Sequence, residues 1–313
     1  MLVVAGLSNA GAQLIFALTG RPILRSLEAA PARQRERVLY LVQISPIFLA
    51  VFAAAGLFLP AYLQSEPHSN VEHVSIACIL IASTLSLWFA SAVLRGLRIA
   101  LRTIRFANAC RRAGGAIAQS DGLAVVRVRN FNLPVALIGF LHPLVVVSDE
   151  FAGIADRLDP DAFAVALSHE HAHAVHCDNW KLLCLVFVPS LDRFLYGCPP
   201  WRELWQVAAD WAADDEAVQG DLARSLLLAD VLVQAARHAR GPRPLGVCTA
   251  LTSAEAGLAA RVARLAHPDL TSDTGHRLFV PCLAVLTALI GAGVAASPWI
   301  YSLAEKLLHF GAA

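Results

Sequence analysis

The sequence predicts a mainly α integral membrane protein carrying a small α+β unit on one side of the bilayer. Two features of the 313-residue chain carry that class: 57% of residues are hydrophobic and only 16% are charged. Soluble domains run nearer 45–50% apolar and about 25% charged. A third feature is the order of the chain, in which long apolar stretches flank a more polar middle holding Val-rich runs and one histidine-rich helix. The net charge of +1 excludes a whole-chain electrostatic partner, so the placement of charge matters more than its sum.

Leu2 to Leu18 is apolar apart from Ser8, Asn9 and Gln13 and follows no basic residue, so it reads as a first membrane helix rather than a secretory signal. Leu39 to Leu63, Val74 to Leu94 and Phe279 to Ile300 complete four spans, each near the roughly 20 residues needed to cross hydrocarbon. Arg21, Arg25, Arg33, Arg35 and Arg37 crowd the loop after the first span, opposed by Glu28 and Glu36. The next loop holds Glu66 and Glu72 with no Lys or Arg, and Arg95, Arg98, Arg102, Arg105, Arg111 and Arg112 follow the third span. The positive-inside rule therefore turns the middle of the chain toward the cytoplasm, in an inner, multi-pass membrane location. Beside membrane spans these arginines suit anionic lipid headgroups, and direct nucleic-acid binding is not expected. The expected division is 1–112 with three spans, 113–278 as a cytoplasmic catalytic domain, and 279–313 as a fourth span with a short tail.

The cytoplasmic part opens after Gly114-Gly115 with three strand-like runs, Leu123 to Arg129, Pro134 to Ile138 and Leu144 to Ser148. A small sheet of this kind either presents an edge to an extended peptide or only roofs the core. Asp159 and Pro160 then start a helix through Ser168-His169-Glu170-His171-Ala172-His173. His169 and His173 are four residues apart and share a face with Cβ atoms about 5–6 Å apart, the spacing at which two imidazoles hold one metal ion. This is the pattern His-Glu-x-x-His, in which zinc (Zn2+) is the expected ion and Glu170 the general base for metal-assisted hydrolysis. Trp180 to Val188 is apolar but too short to cross a bilayer. Helices follow over Trp201 to Gln219, Leu222 to Arg240 and, from the capping signal Thr252-Ser253-Ala254-Glu255, through Leu265. The seven cysteines are scattered without a Cys-x-x-Cys pair, which excludes a disulfide framework and fits a reduced compartment. Cys177, next to the metal helix, reads as a small buried hydrophobe.

A catalytic zinc ion usually takes three protein ligands. A histidine six residues after His173 would serve, but that position is Asn179. The stretch Ala209 to Ala217 clusters acids in a helical setting, and Asp210 and Asp214 share a face, so one can bind metal while the other braces a histidine. His176, seven after His169, returns near the same face as a contact for substrate or a bracing acid, or as a structural histidine. No Ser-His-Asp pattern, phosphate loop or dinucleotide fingerprint competes.

Three blocks then resemble the membrane-embedded gluzincin metallopeptidases of the beta-lactam-sensor antirepressor type, and more distantly the CAAX prenyl protease type. They are Leu133-Pro134 through Pro143 with Val145-Val146-Val147, Ser168 to His173 with Asp178 and Asn179, and Asp210 to Val218; Ala259 to Leu265 is weakly similar. The resemblance implies a gluzincin-like domain with His169, His173 and Asp210 as zinc ligands, Glu170 as base, and Asp178 and Asp214 as their supports. The family carries glutamate where this chain has Asp210, a side chain shorter by about 1.5 Å, so the helices have to approach more closely. Asp215 and Glu216 are the alternates. Arg193 and Tyr196 are candidates for steadying an oxyanion. The activity implied is membrane-bound endopeptidase action on a cytoplasmic or membrane-proximal protein in signalling or regulation, with a cytoplasmic regulator or repressor as a candidate partner. The alternative is a catalytically silent receptor or scaffold that keeps the fold.

Overall fold

The computed structural model describes residues 1–65, 76–120, 122–129, 131–155, 160–191, 200–238, 248–250, 255–267 and 302. The expected fourth span, Phe279–Ile300, lies outside them, as do Asp159, Arg193 and Tyr196.

Helices dominate. Helix α1 spans Leu2–Leu27; α2 spans Ala32–Val51 and runs through a π-helical turn, Phe52–Phe58, into α3, Leu59–Ser65; α4 spans Ile76–Ala113. Among the described residues three helical stretches are long and apolar enough to cross a membrane: Leu2–Leu27, Ala32–Phe58 and Ile76–Ala113. Their outward side chains agree, since Leu7, Leu18, Phe48, Val51, Leu80 and Leu87 are exposed on the protein alone, a surface suited to hydrocarbon rather than water. Pro46 falls inside α2 without ending it. A proline there removes the donor to the carbonyl four residues back, and the Ser45 hydroxyl donates to that carbonyl, Val42 O, at 3.3 Å.

With 38 residues, α4 is about 57 Å long, nearly twice what the hydrocarbon needs. Its far end packs under the sheet. That sheet has five strands, β1 (Gly115–Ser120), β2 (Leu123–Val128), β3 (Val135–Ile138), β4 (Leu144–Ser148) and β5 (Cys248–Ala250), in the order β1-β2-β4-β3-β5. Only β2 and β4 pair in parallel. Alternation along the strands gives two faces. Val125, Val135, Leu137, Val145 and Val147 join the core that includes Ala162, Val165 and Ala166. Val126, Ala136, Ile138, Leu144 and Val146 pack instead with Ala107 and Cys110 of α4. Both faces are therefore covered, which explains why β3 and β4 are buried at every position. The three expected strands are present. Strand β1 follows directly on the Gly114-Gly115 break, and β5 pairs with β3 from about 110 residues away, so β3 is not an edge.

After α5 (Asp149–Ala155), the histidine-rich segment forms α6 (Pro160–Val175). It is followed by α7 (Asp178–Phe187), α8 (Trp201–Val218), α9 (Leu222–His238) and α10 (Glu255–Ala266). The α8 terminus uses the left-handed Gln219 and Gly220, at φ 52° and 76°, the expected stop. Between α6 and α7, Cys177 is left-handed at φ 55°, a conformation costing a non-glycine residue about 1–2 kcal/mol. That joint reverses the chain so sharply that Asp178 returns beneath His173.

The C-terminal end of α7 is enclosed by side chains from three other helices. Arg95 donates to Val186 O and Val188 O, Arg202 to Leu185 O, and Asn9 and Gln13 to Pro189 O. Leu191 N donates back to Gln13 Oε1 at 2.7 Å. Unpaired carbonyls at a helix end are costly away from water. Arg95 and Arg202 satisfy those of α7, and the polar residues that interrupt the first apolar span, Asn9 and Gln13, satisfy Pro189 O just beyond it.

Candidate metal centre

Helices α6 and α8 pack face to face and bring the predicted ligands together. His169, His173 and Asp210 form a group whose ligand atoms all lie within 4.8 Å of one another, able to hold a metal ion. His173 Nε2 is 3.2 Å from His169 Nε2 and 3.5 Å from Asp210 Oδ1. Two atoms each about 2.0–2.1 Å from one tetrahedral ion stand about 3.3–3.4 Å apart. These two separations match that requirement, and the third pair, His169 with Asp210, lies within 4.8 Å.

The outer nitrogens are held by acids. His173 Nδ1 is 2.8 Å from Asp178 Oδ2, and His169 Nδ1 is 2.9 Å from Asp214 Oδ1. The second contact raises the His169 pKa both as a hydrogen bond and through charge, against the larger effect of burial. A carboxylate on Nδ1 places the free electron pair on Nε2 and sets the ring's direction. Both Nε2 atoms then face the same point. Each of these residues is at least nine-tenths buried.

Charge on the acids is balanced by the buried Arg261 and the partly buried Lys181. Arg261 of α10, 1% exposed, meets Asp214 in a two-pronged contact, Nε to Oδ2 at 2.8 Å and a terminal nitrogen to Oδ1 at 2.6 Å. Its other terminal nitrogen lies 4.0 Å from Asp210 Oδ2. Burial raises the Asp214 pKa, but Arg261 and His169 overcome it and hold that acid well below the carboxylate range. Asp178 behaves alike: burial opposes ionisation, yet His173 and Lys181 hold it at about 2. His169 moves the other way, its imidazole driven toward the neutral form by burial.

Glu170 is fully buried. Its Oε2 accepts from Leu137 N of β3 at 3.0 Å, and its Oε1 has no hydrogen-bond partner among the described residues. Burial pushes its pKa up to about 7, against the pull of His173. A carboxyl poised there can take a proton and return it near neutral pH. Asn179 fixes the same strand by donating to Leu137 O and Gly139 O at 3.1 and 2.8 Å.

The other candidates fall elsewhere. His176 Nε2 meets Glu216 Oε2 at 2.6 Å, and Glu216 also accepts from Arg33 at 3.1 Å, so this pair lies on the surface apart from the buried acids. Asp215 pairs with Arg264 at 2.6 Å. Both alternate ligands are thereby engaged away from His169 and His173. Cys177 is exposed rather than buried, because its backbone makes the left-handed joint. Arg261 lay in the weakly similar block Ala259 to Leu265 without a role assigned to it, Lys181 lay in no motif, and the need of two buried carboxylates for counter-charge is what points to both. Compared with known proteins, the chain matches no family model and no curated protein.

Proposed function

We propose that the protein is a membrane-bound, zinc-dependent endopeptidase that cleaves a cytoplasmic or membrane-proximal protein. One observation carries this reading: two Nε2 atoms and a carboxylate oxygen converge, each imidazole braced from behind by an acid, and the adjoining Glu170 is fully buried with its Oε1 unpartnered among the described residues. The likeness of the three motif blocks to the membrane gluzincins supports it, as do the three apolar helices. Zinc fits the donor set better than magnesium or calcium, which prefer oxygen alone. When bound, it supplies a Lewis acid that activates water and polarises a carbonyl.

The chain's own groups do the rest. His169, His173 and Asp210 hold the ion, while Asp178 and Asp214 keep the imidazoles aimed at it. Glu170 takes the proton from the attacking water and delivers it to the leaving nitrogen, while Leu137 N–H keeps the carboxyl from rotating. The arginine-rich loops favour an inner-membrane protein whose metal site faces the cytoplasm.

The test compares wild type with Glu170→Gln, reconstituted in lipid, for bound zinc and for cleavage of a membrane-anchored peptide library. Equal zinc with hydrolysis reduced about 100-fold or more in the variant is expected. Zinc binding without hydrolysis by either protein would leave a silent receptor or scaffold in its place.

A further inference from the structure

Glu36 has no role in the motif, and its surroundings are unusual. It sits in α2, two residues before the apolar run begins, and is completely buried. Its Oε1 accepts two hydrogen bonds from different helices, Lys181 Nζ of α7 at 2.9 Å and Trp205 Nε1 of α8 at 3.0 Å. Lys181 Nζ also donates to Asp178 Oδ1 at 2.9 Å, and the other oxygen of Asp178 meets His173 Nδ1 at 2.8 Å. Trp205 is 1% exposed and lies five residues before Asp210 on the same helix. One carboxylate oxygen thus ties together the two sides of the metal cluster.

Resting on the metal-binding reading above, we propose that Glu36 is a positioning residue, which holds the Asp210 helix and the His173–Asp178 pair at metal-binding separation. The chemistry explains why a charge is kept in so apolar a place. An unpaired buried carboxylate costs several kcal/mol; Arg33 of the same helix stands 3.6 Å from Oε2, while Oε1 depends on the two donors from α7 and α8. The two donors therefore cannot drift apart independently. That restraint matters for this chain because an aspartate ligand is short, and an error of about 1 Å at α8 would take its oxygen out of reach. The clamp belongs to a helix that continues into a membrane-spanning length, Ala32–Phe58.

The experiment titrates Zn2+ against a chromophoric chelator with the full chain in nanodiscs, taking the folded fraction from circular dichroism. Wild type binds one Zn2+. Glu36→Gln weakens binding about 10–100-fold, as loss of an outer partner of a metal ligand does; Trp205→Phe, which keeps the ring and removes one donor, weakens it by a smaller factor. In an Asp210→Glu background, whose arm is about 1.5 Å longer, the Glu36→Gln loss shrinks to less than about threefold. A residue that only stabilised the fold would lower the melting temperature and leave affinity per folded chain unchanged. Normal affinity in Glu36→Gln and Trp205→Phe, or an undiminished loss in the Asp210→Glu background, overturns the proposal while leaving the metal site standing. Should Glu36→Gln not fold, Trp205→Phe in the two backgrounds decides. Absence of Zn2+ binding by wild type removes the metal reading and this inference together.

Discussion

Metal affinity should climb steeply with pH, and His173 is the reason. Burial alone would lower its pKa, but hydrogen bonds and charge from Asp178 at 2.8 Å and Asp210 at 3.5 Å raise it to about 10. A ligand nitrogen has to be free of its proton, so at pH 7 the metal displaces a proton held about three pH units too tightly. Three units correspond to about 4 kcal/mol, or a thousandfold in apparent affinity at pH 7 relative to pH 10. His169 adds no slope, because burial already keeps it neutral. The expected result is an apparent zinc affinity rising about tenfold per pH unit between pH 6.5 and 8.5, after correction for the chelator's own titration. Calorimetry in two buffers of different protonation enthalpy should count about one proton released per zinc at pH 8. Asp178→Asn removes the larger of the two opposing influences and should flatten the slope. A flat profile with no proton release in wild type would show that the two acids do not hold a proton on His173, and the argument for how they brace the ligand would fail with it.

Four further outcomes are expected. Arg261→Met should destabilise the fold by about 3–5 kcal/mol, because Asp214, at 0% exposure, is left charged with only the neutral His169 ring beside it; thermal unfolding in detergent measures it, and a change under about 1 kcal/mol would contradict the pairing. In the metal-free chain, the raised pKa of His173 adds stability that is complete below pH 6.5 and disappears as pH rises through about 10, so chelator-treated protein should melt at lower temperature at pH 9 than at pH 6. The depressed pKa of Asp178 works oppositely, adding stability above pH 3.8 that is lost as pH falls toward about 2; a melting temperature rising on acidification from pH 4 to 3 would contradict it. Gln13→Leu leaves Leu191 N without its acceptor and takes one donor from Pro189 O, a cost of about 1–3 kcal/mol that should appear as faster amide exchange at Leu191.

What could be read from the chain in advance divides along a physical line. His169, Glu170 and His173 were legible because all their information is local: four residues make just over one turn, and the turn alone stacks the two rings. Asp210 was legible only as one of several acids, since spacing could place it on a shared face with Asp214 but could not decide which of them faced the histidines. The decision comes from Arg261, whose guanidinium occupies both oxygens of Asp214 and leaves Asp210 the nearer to His173. Glu36 was illegible for a different reason. Among five arginines it reads as a loop counter-charge, and its actual donors are 145 and 169 residues away. Strands β1 and β5 escaped because one follows directly on a glycine pair and the other is three residues long. Periodicity therefore reveals residues that could hold an ion, whereas the groups packed behind them answer to burial and counter-charge. A motif with both histidines and the base in place can thus still bind metal weakly if the outer carboxylates and their cations are changed, and substitutions at Glu36, Lys181 and Arg261 are where a chain carrying His-Glu-x-x-His would first lose its ion.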